Sequence, residues 1–215
     1  MDAIRELLKA DEPVKWLFYG DSITHGALHT FGRRDYTELF AERVRYEMAR
    51  TRDVVINTAV SGNTTRPLLQ DFDWRVAQFK PDVVFLMIGM NDCSDNNDIG
   101  PDEFEENLNE LADRVETLDG SLGLQTTCPI LPGAAPDREP NLPIFMDVIR
   151  SVAAERDLPL VDHTRFWEQN AEKLYYWMSN AFHPNEYGHL AFANLLFREL
   201  DILDPESQTC RLHFP

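Results

Sequence analysis

Five short apolar runs punctuate the chain: VKWLFYG at 14–20, DVVINTAV at 53–60, DVVFLMIG at 82–89, LGLQTTCPI at 122–130 and LPLVD at 158–162. Runs this short, apolar and rich in β-branched residues predict parallel strands buried on both faces. Between them lie DYTELFAERVRYEMAR (35–50), RPLLQDFDWRVAQF (66–79), PDEFEENLNELADRVETL (101–118) and NLPIFMDVIRSVAAERD (141–157). These place apolar residues at helical spacing with charges on the opposite side. NEYGHLAFANLLFREL (185–200) reads as a closing helix. Pro101 followed by Asp102 and Glu103 suits a helix start, where a missing amide and negative charge are both tolerated. Strands alternating with helices predict a doubly wound α/β fold.

Such a fold gathers functional groups where the C-terminal ends of strands meet the next loops. Three predicted strand ends carry glycine beside short polar residues: Gly20-Asp21-Ser22, Ser61-Gly62-Asn63 and Gly89-Met90-Asn91-Asp92. The phosphate-loop pattern is missing its lysine, since only Gly26-Ala27 follows Gly20, and G-x-G-x-x-G is absent. A G-x-S-x-G elbow fails because Thr24 stands where the second glycine belongs. Taken alone, Ser22 reads first as a helix cap.

The other dense polar stretch, MSNAFHPNEYGH, holds His183 three residues after Asn180, on the loop before the closing helix. A histidine there can swing over the strand ends and act as general base toward Ser22. The Ser22 N–H, the Gly62 N–H and the Asn91 side chain supply three candidate donors to an oxyanion. His189 reads as a packing or capping residue, and His25 and His29 as loop or substrate-edge groups. Asp92, Asp95, Asn97 and Asp98 match no calcium loop, so no metal site is expected.

Composition narrows the partners. The 215 residues are 43% hydrophobic with no linker-like break, which predicts one domain over 1–215. Thirty-seven acidic against 20 basic residues give a formal charge of -17. That surface repels nucleic-acid phosphates and anionic lipid, so neither nucleic acid nor membrane is an expected partner. Cys93, Cys128 and Cys210 have no paired spacing and read as free thiols. The N-terminus mixes charged with apolar residues, unlike a secretory signal, which favours a cytoplasmic protein.

With these residues in hand, the chain resembles the SGNH (GDSL) hydrolase family. The signature positions fall in order as Ser22 in GDS, Gly62 in SGN, Asn91 in GMND and His183 in HPN. The resemblance implies a flavodoxin-like three-layer α/β/α sandwich with a five-stranded parallel sheet. It implies ester hydrolysis through an acyl-serine intermediate, with no metal or organic cofactor. Ser22 is then the nucleophile, His183 the base, and Ser22, Gly62 and Asn91 the oxyanion hole. Asp21 and Asn180 are further candidate catalytic groups, and Asn63 and Trp177 candidate substrate-binding residues.

One position departs from the family pattern, which has aspartate three residues before the histidine where this chain has Asn180. Three alternatives stand: Asn180 orients His183, a backbone carbonyl near Ser179 does so, or the enzyme is weakened. The expected substrate is a small neutral ester, with O-acetyl groups on a carbohydrate first and lysophospholipid or thioester next. Trp74, Trp167, Tyr175, Tyr176 and Trp177 are candidate sugar-stacking aromatics. A catalytically weak ligand-binding protein on the same fold is the competing reading.

Overall fold

Trp16, Leu17, Phe18 and Tyr19 are buried one after another, so the first strand has no solvent face and must lie inside a sheet covered on both sides. The computed structural model describes residues 1–26 and 28–211. The remainder of the expected single domain, residues 27 and 212–215, lies outside the described residues.

Five parallel strands, β1 (Lys15–Gly20), β2 (Val54–Asn57), β3 (Val83–Met87), β4 (Ser121–Gln125) and β5 (Leu160–Val161), are ordered β2-β1-β3-β4-β5. The helices in chain order are α1 (Asp2–Lys9), α2 (Ser22–His25), α3 (Tyr36–Glu42), α4 (Thr65–Gln70), α5 (Phe72–Arg75), α6 (Pro101–Glu116), α7 (Leu142–Glu155), α8 (His163–Glu168), α9 (Leu174–Trp177) and α10 (Glu186–Glu199). α3 packs with α10 on one side, and α6 packs with α4 and α7 on the other. The sandwich is thus three-layered, as the resemblance implies.

Alternate residues of β1 fill the two cores. Trp16 and Phe18 meet Phe40 and Phe85, with Phe18 and Phe40 centroids 5.2 Å apart. Tyr19 instead reaches α4, where its hydroxyl donates to the Leu68 carbonyl at 2.6 Å. Each buried ring contributes about 1.5–3 kcal/mol relative to exposure.

Two expectations need correction. Burial on both faces holds for β1 and β3, but β2 is an edge strand with Val54 48% exposed, and β5 has only two residues. The stretch 66–79 is not one helix but α4, α5 and a short 3-10 turn. The chain bends at Asp71, and Arg75 at the end of α5 turns inward to backbone carbonyls at the strand ends. A continuous helix satisfies its own carbonyls but would not deliver that guanidinium.

Candidate active site

β1 ends at a glycine for a steric reason. A Cβ at Gly20 would lie 2.2 Å from the Met87 carbonyl oxygen of the neighbouring strand. The next residue, Asp21, accepts the Ile23 N–H at 2.9 Å and caps α2, so Ser22 is the first residue of the helix rather than its cap. Asp21 is 1% exposed, and burial pushes its carboxyl up to about 7. Its hydrogen bond holds the backbone under Ser22. In the fold, Asp21 acts as the cap of α2.

His183 arrives on a tight turn. Met178 and Pro184 form an antiparallel bridge, and Ser179 N–H donates to the His183 carbonyl at 2.8 Å. Asn185 then caps α10 by accepting from Tyr187 N–H and Gly188 N–H, while its amide donates to the Tyr176 and Met178 carbonyls. Inside the turn, Asn180 Oδ1 accepts the backbone N–H groups of Phe182 and His183 at 3.1 and 3.0 Å. Those two donors decide which end of the amide is oxygen.

The tautomer of His183 follows. Its Nδ1 lies 3.0 Å from the same Asn180 oxygen, which can only accept, so Nδ1 carries the proton. Nε2 therefore presents a lone pair, 2.8 Å from Ser22 Oγ, and accepts its hydroxyl proton. Of the two orienting groups considered at this turn, the Asn180 side chain rather than a backbone carbonyl is the one bonded to His183 Nδ1. Burial is the main cause that pushes His183 down to about 4, with His29 in its charged form and Arg138 adding to it.

The second and third strand ends close around this pair. Beyond β2, Val60 N–H donates to the Gly20 carbonyl at 3.1 Å, carrying the ladder one step further and bringing Ser61-Gly62 toward the turn that carries Ser22. Gly62 has φ +83°, a left-handed turn conformation that favours glycine. Asn91 donates its amide to the Asn63 carbonyl at 2.9 Å. Asp92 accepts from Thr65 N–H and Oγ1–H at 2.8 and 2.7 Å, fixing the third loop to the start of α4.

The structure adds residues that the sequence alone did not mark. Arg75, 5% exposed, donates to the Thr58 and Gly20 carbonyls and to Asn63 Oδ1, and lies 4.7 Å from the Tyr19 ring centroid. It joins the strand end under Ser22 to the loop carrying Gly62. Arg138 sits 4.1 Å over the Phe182 ring and 3.4 Å from the Met90 carbonyl, joining the histidine turn to the Asn91 loop. Nothing in local periodicity marks either arginine. His25 bonds Ser61 Oγ through Nδ1 at 3.0 Å, and His29 stacks on His183.

Trp177 is not a substrate platform. It is 1% exposed and packs edge-on against Trp167, with centroids 4.9 Å apart, so it belongs to the core under the histidine turn. Asn63 is held by Arg75 through its side chain and by Asn91 through its carbonyl, which makes it part of the frame around the site. Trp74, Tyr175 and Tyr176 are exposed, whereas Trp167 is buried. His189 accepts from Tyr36 N–H at 3.3 Å in the core, a packing role as expected. Cys128 is fully buried and its thiol is pushed up to about 12 by that burial, so it is inert. No helix among the described residues is long and apolar enough to cross a membrane.

Residues 18–191 match the GDSL-like Lipase/Acylhydrolase family. The chain is 27% identical over 213 residues to an acetylxylan esterase of Geobacillus stearothermophilus, covering 90% of this chain and 96% of that protein. It is 33% identical over 117 residues to an uncharacterized protein of Mycoplasma pneumoniae. That match spans 53% of this chain but only 13% of the much longer relative. Among solved structures, LAE5, an alpha/beta hydrolase enzyme from the metagenome of Lake Arreo, Spain, superposes with a TM-score of 0.78 at 25% identity. The superposition covers 90% of this chain and 99% of that one.

Proposed function

The chain belongs to the GDSL-like lipase/acylhydrolase family, and on that premise we propose that it hydrolyses short-chain esters, O-acetyl groups of a carbohydrate first among them, through an acyl-serine on Ser22. The observation that carries this reading is the continuous hydrogen-bonded line from Ser22 Oγ to His183 Nε2 and from His183 Nδ1 to Asn180 Oδ1. It supplies a nucleophile, a base in the correct tautomer and an orienting group.

In the first half-reaction Ser22 Oγ attacks the ester carbonyl as its proton passes to His183 Nε2. Negative charge then grows on the carbonyl oxygen, and the Ser22 N–H, the Gly62 N–H and the Asn91 amide are the donors assigned to it. His183 returns the proton to the leaving alcohol. Water repeats the sequence on the acyl-serine and releases the acid. Asn180 supplies orientation but no negative charge to the imidazolium, so its contribution is geometric.

The acetyl preference is supported by the acetylxylan esterase relative, which spans nearly the same length. The exposed Tyr175 and Tyr176 just upstream of the histidine turn offer faces for a sugar ring. The test compares wild type with Ser22→Ala on p-nitrophenyl acetate and on acetylated xylo-oligosaccharides, with folding checked by circular dichroism. Acetate release that vanishes in the variant supports the reading. Equal rates in the two proteins overturn it and leave the binding-protein alternative.

A further inference from the structure

The imidazole of His29 lies flat on that of His183, with ring centroids 3.6 Å apart and planes 16° from parallel. His29 is on the loop after α2, far in sequence from the histidine turn, and no step of the reaction above uses it. The same residue also touches the third member of the catalytic line. Asn180 Nδ2 is 3.4 Å from His29 Nδ1. Since the two backbone donors fix Asn180's other end as oxygen, this end is the amide, which can only donate. His29 Nδ1 must therefore accept, and the bond exists only while His29 is neutral.

Two consequences meet at His183. During turnover this ring becomes an imidazolium, and no carboxylate among the described residues is hydrogen-bonded to it. A neutral aromatic face lying against a developing cation stabilises it through the ring quadrupole. Meanwhile the Asn180 amide, held at both ends, keeps its oxygen on the His183 N–H. Protonating His29 reverses both effects: a second positive ring would face the first, and an N–H would point at an NH2. The other charged or titratable groups acting on the pair are Arg138, beside the histidine turn, and His189 of α10. Arg138 opposes positive charge there, whereas His189, kept neutral by its own burial, adds none.

We propose that neutral His29 is a positioning residue for the reaction, which holds Asn180 by its amide and supports the imidazolium of His183 by stacking, in a site that lacks the usual acid. This rests on the proposed serine-esterase reading and deepens it.

The experiment measures kcat, KM and the acid side of the pH profile with p-nitrophenyl acetate for wild type, His29→Ala and His29→Phe, with Ser22→Ala alongside. Phenylalanine keeps a ring to stack but neither accepts from Asn180 nor titrates. His29→Ala is expected to lose about ten-fold in kcat with little change in KM, and His29→Phe to recover part of that loss. The wild-type profile should fall more steeply with acid than that of His29→Phe, because two rings rather than one must be neutral. An alanine variant equal to wild type, a phenylalanine variant no better than alanine, or identical slopes overturns the proposal. Activity persisting in Ser22→Ala would instead sink the serine-esterase reading, so the two failures are told apart.

Discussion

His183 donates its Nδ1–H to the side-chain oxygen of Asn180 at 3.0 Å, and that bond leaves Nε2 as a bare lone pair 2.8 Å from Ser22 Oγ. An amide thus does half of the work an acid does in a serine triad. It selects tautomer and direction but adds no charge.

Replacing Asn180 by aspartate introduces the charge and keeps the three N–H bonds its oxygen accepts, while giving up the amide bond to His29. Removing the charge from a serine triad can cost about 10⁴-fold when the tautomer is also wrong. Here the tautomer is already right, so Asn180→Asp should raise kcat by a smaller factor, about 10- to 100-fold. It should also move the acid limb of kcat/KM to higher pH, since a neighbouring negative charge favours the protonated imidazole. Steady-state rates from pH 4 to 9 for the two proteins check both.

His183 should titrate at about 4, as seen in the imidazole carbon shifts of a histidine-labelled sample assigned through His183→Gln. Burial disfavours the charged ring, and Arg138 and a protonated His29 act in the same direction. A midpoint near the ordinary histidine value of about 6.5 would mean the ring is solvated rather than enclosed.

Arg75→Met should lower kcat by about 10²-fold, comparable to losing one oxyanion donor, and lower Tm as well. The methionine fills much of the same volume but leaves the Thr58 carbonyl and Asn63 Oδ1 without the donor that ties them together. Arg75→Lys should recover little of the loss, because an ammonium lacks the planar fork that reaches separate carbonyls. Full activity in Arg75→Lys would show that charge alone suffices.

Asp21→Asn keeps the cap on Ile23 N–H but removes a buried ionisable group. The Asp21 carboxyl titrates at about 7 in the folded chain, above its unfolded value near 3.8. The folded state therefore holds a proton that the unfolded state has lost, and wild-type stability falls as pH rises from about 4 to about 7. The variant's advantage in Tm should grow across that interval and level off above it. Thermal melts at pH 4, 6 and 8 test the sign, and a constant difference would show that Asp21 does not titrate there.

Most of the architecture was already present in the chain's local order. The apolar runs at 14–20 and 82–89 could only be interior strands, and glycine beside short polar residues after three strands placed the chemistry at one edge of the sheet. Ser22, Gly62 and Asn91 stood out as candidates because each sits in a short motif after a strand, and His183 because it sits in one before the closing helix. What periodicity could not give was any relation between residues remote in sequence. The break at Asp71 depends on carbonyls that Arg75 reaches only in the folded sheet. The burial of Trp177 depends on Trp167 packing across it, and the exposed edge of β2 on which strand has no outer neighbour.

The contrast is sharpest at Asn180. Its spacing from His183 was plain in the sequence, but an asparagine in an acid's place is ambiguous until the orientation of its amide is known. Backbone N–H groups within the turn fix the oxygen, and a histidine 151 residues earlier in the chain meets the nitrogen. Sequence determined which groups were available, because strand and helix signals are local. Tertiary structure decided which way each donor and acceptor faced, because hydrogen-bond direction is set by partners that only folding brings within 3–3.5 Å.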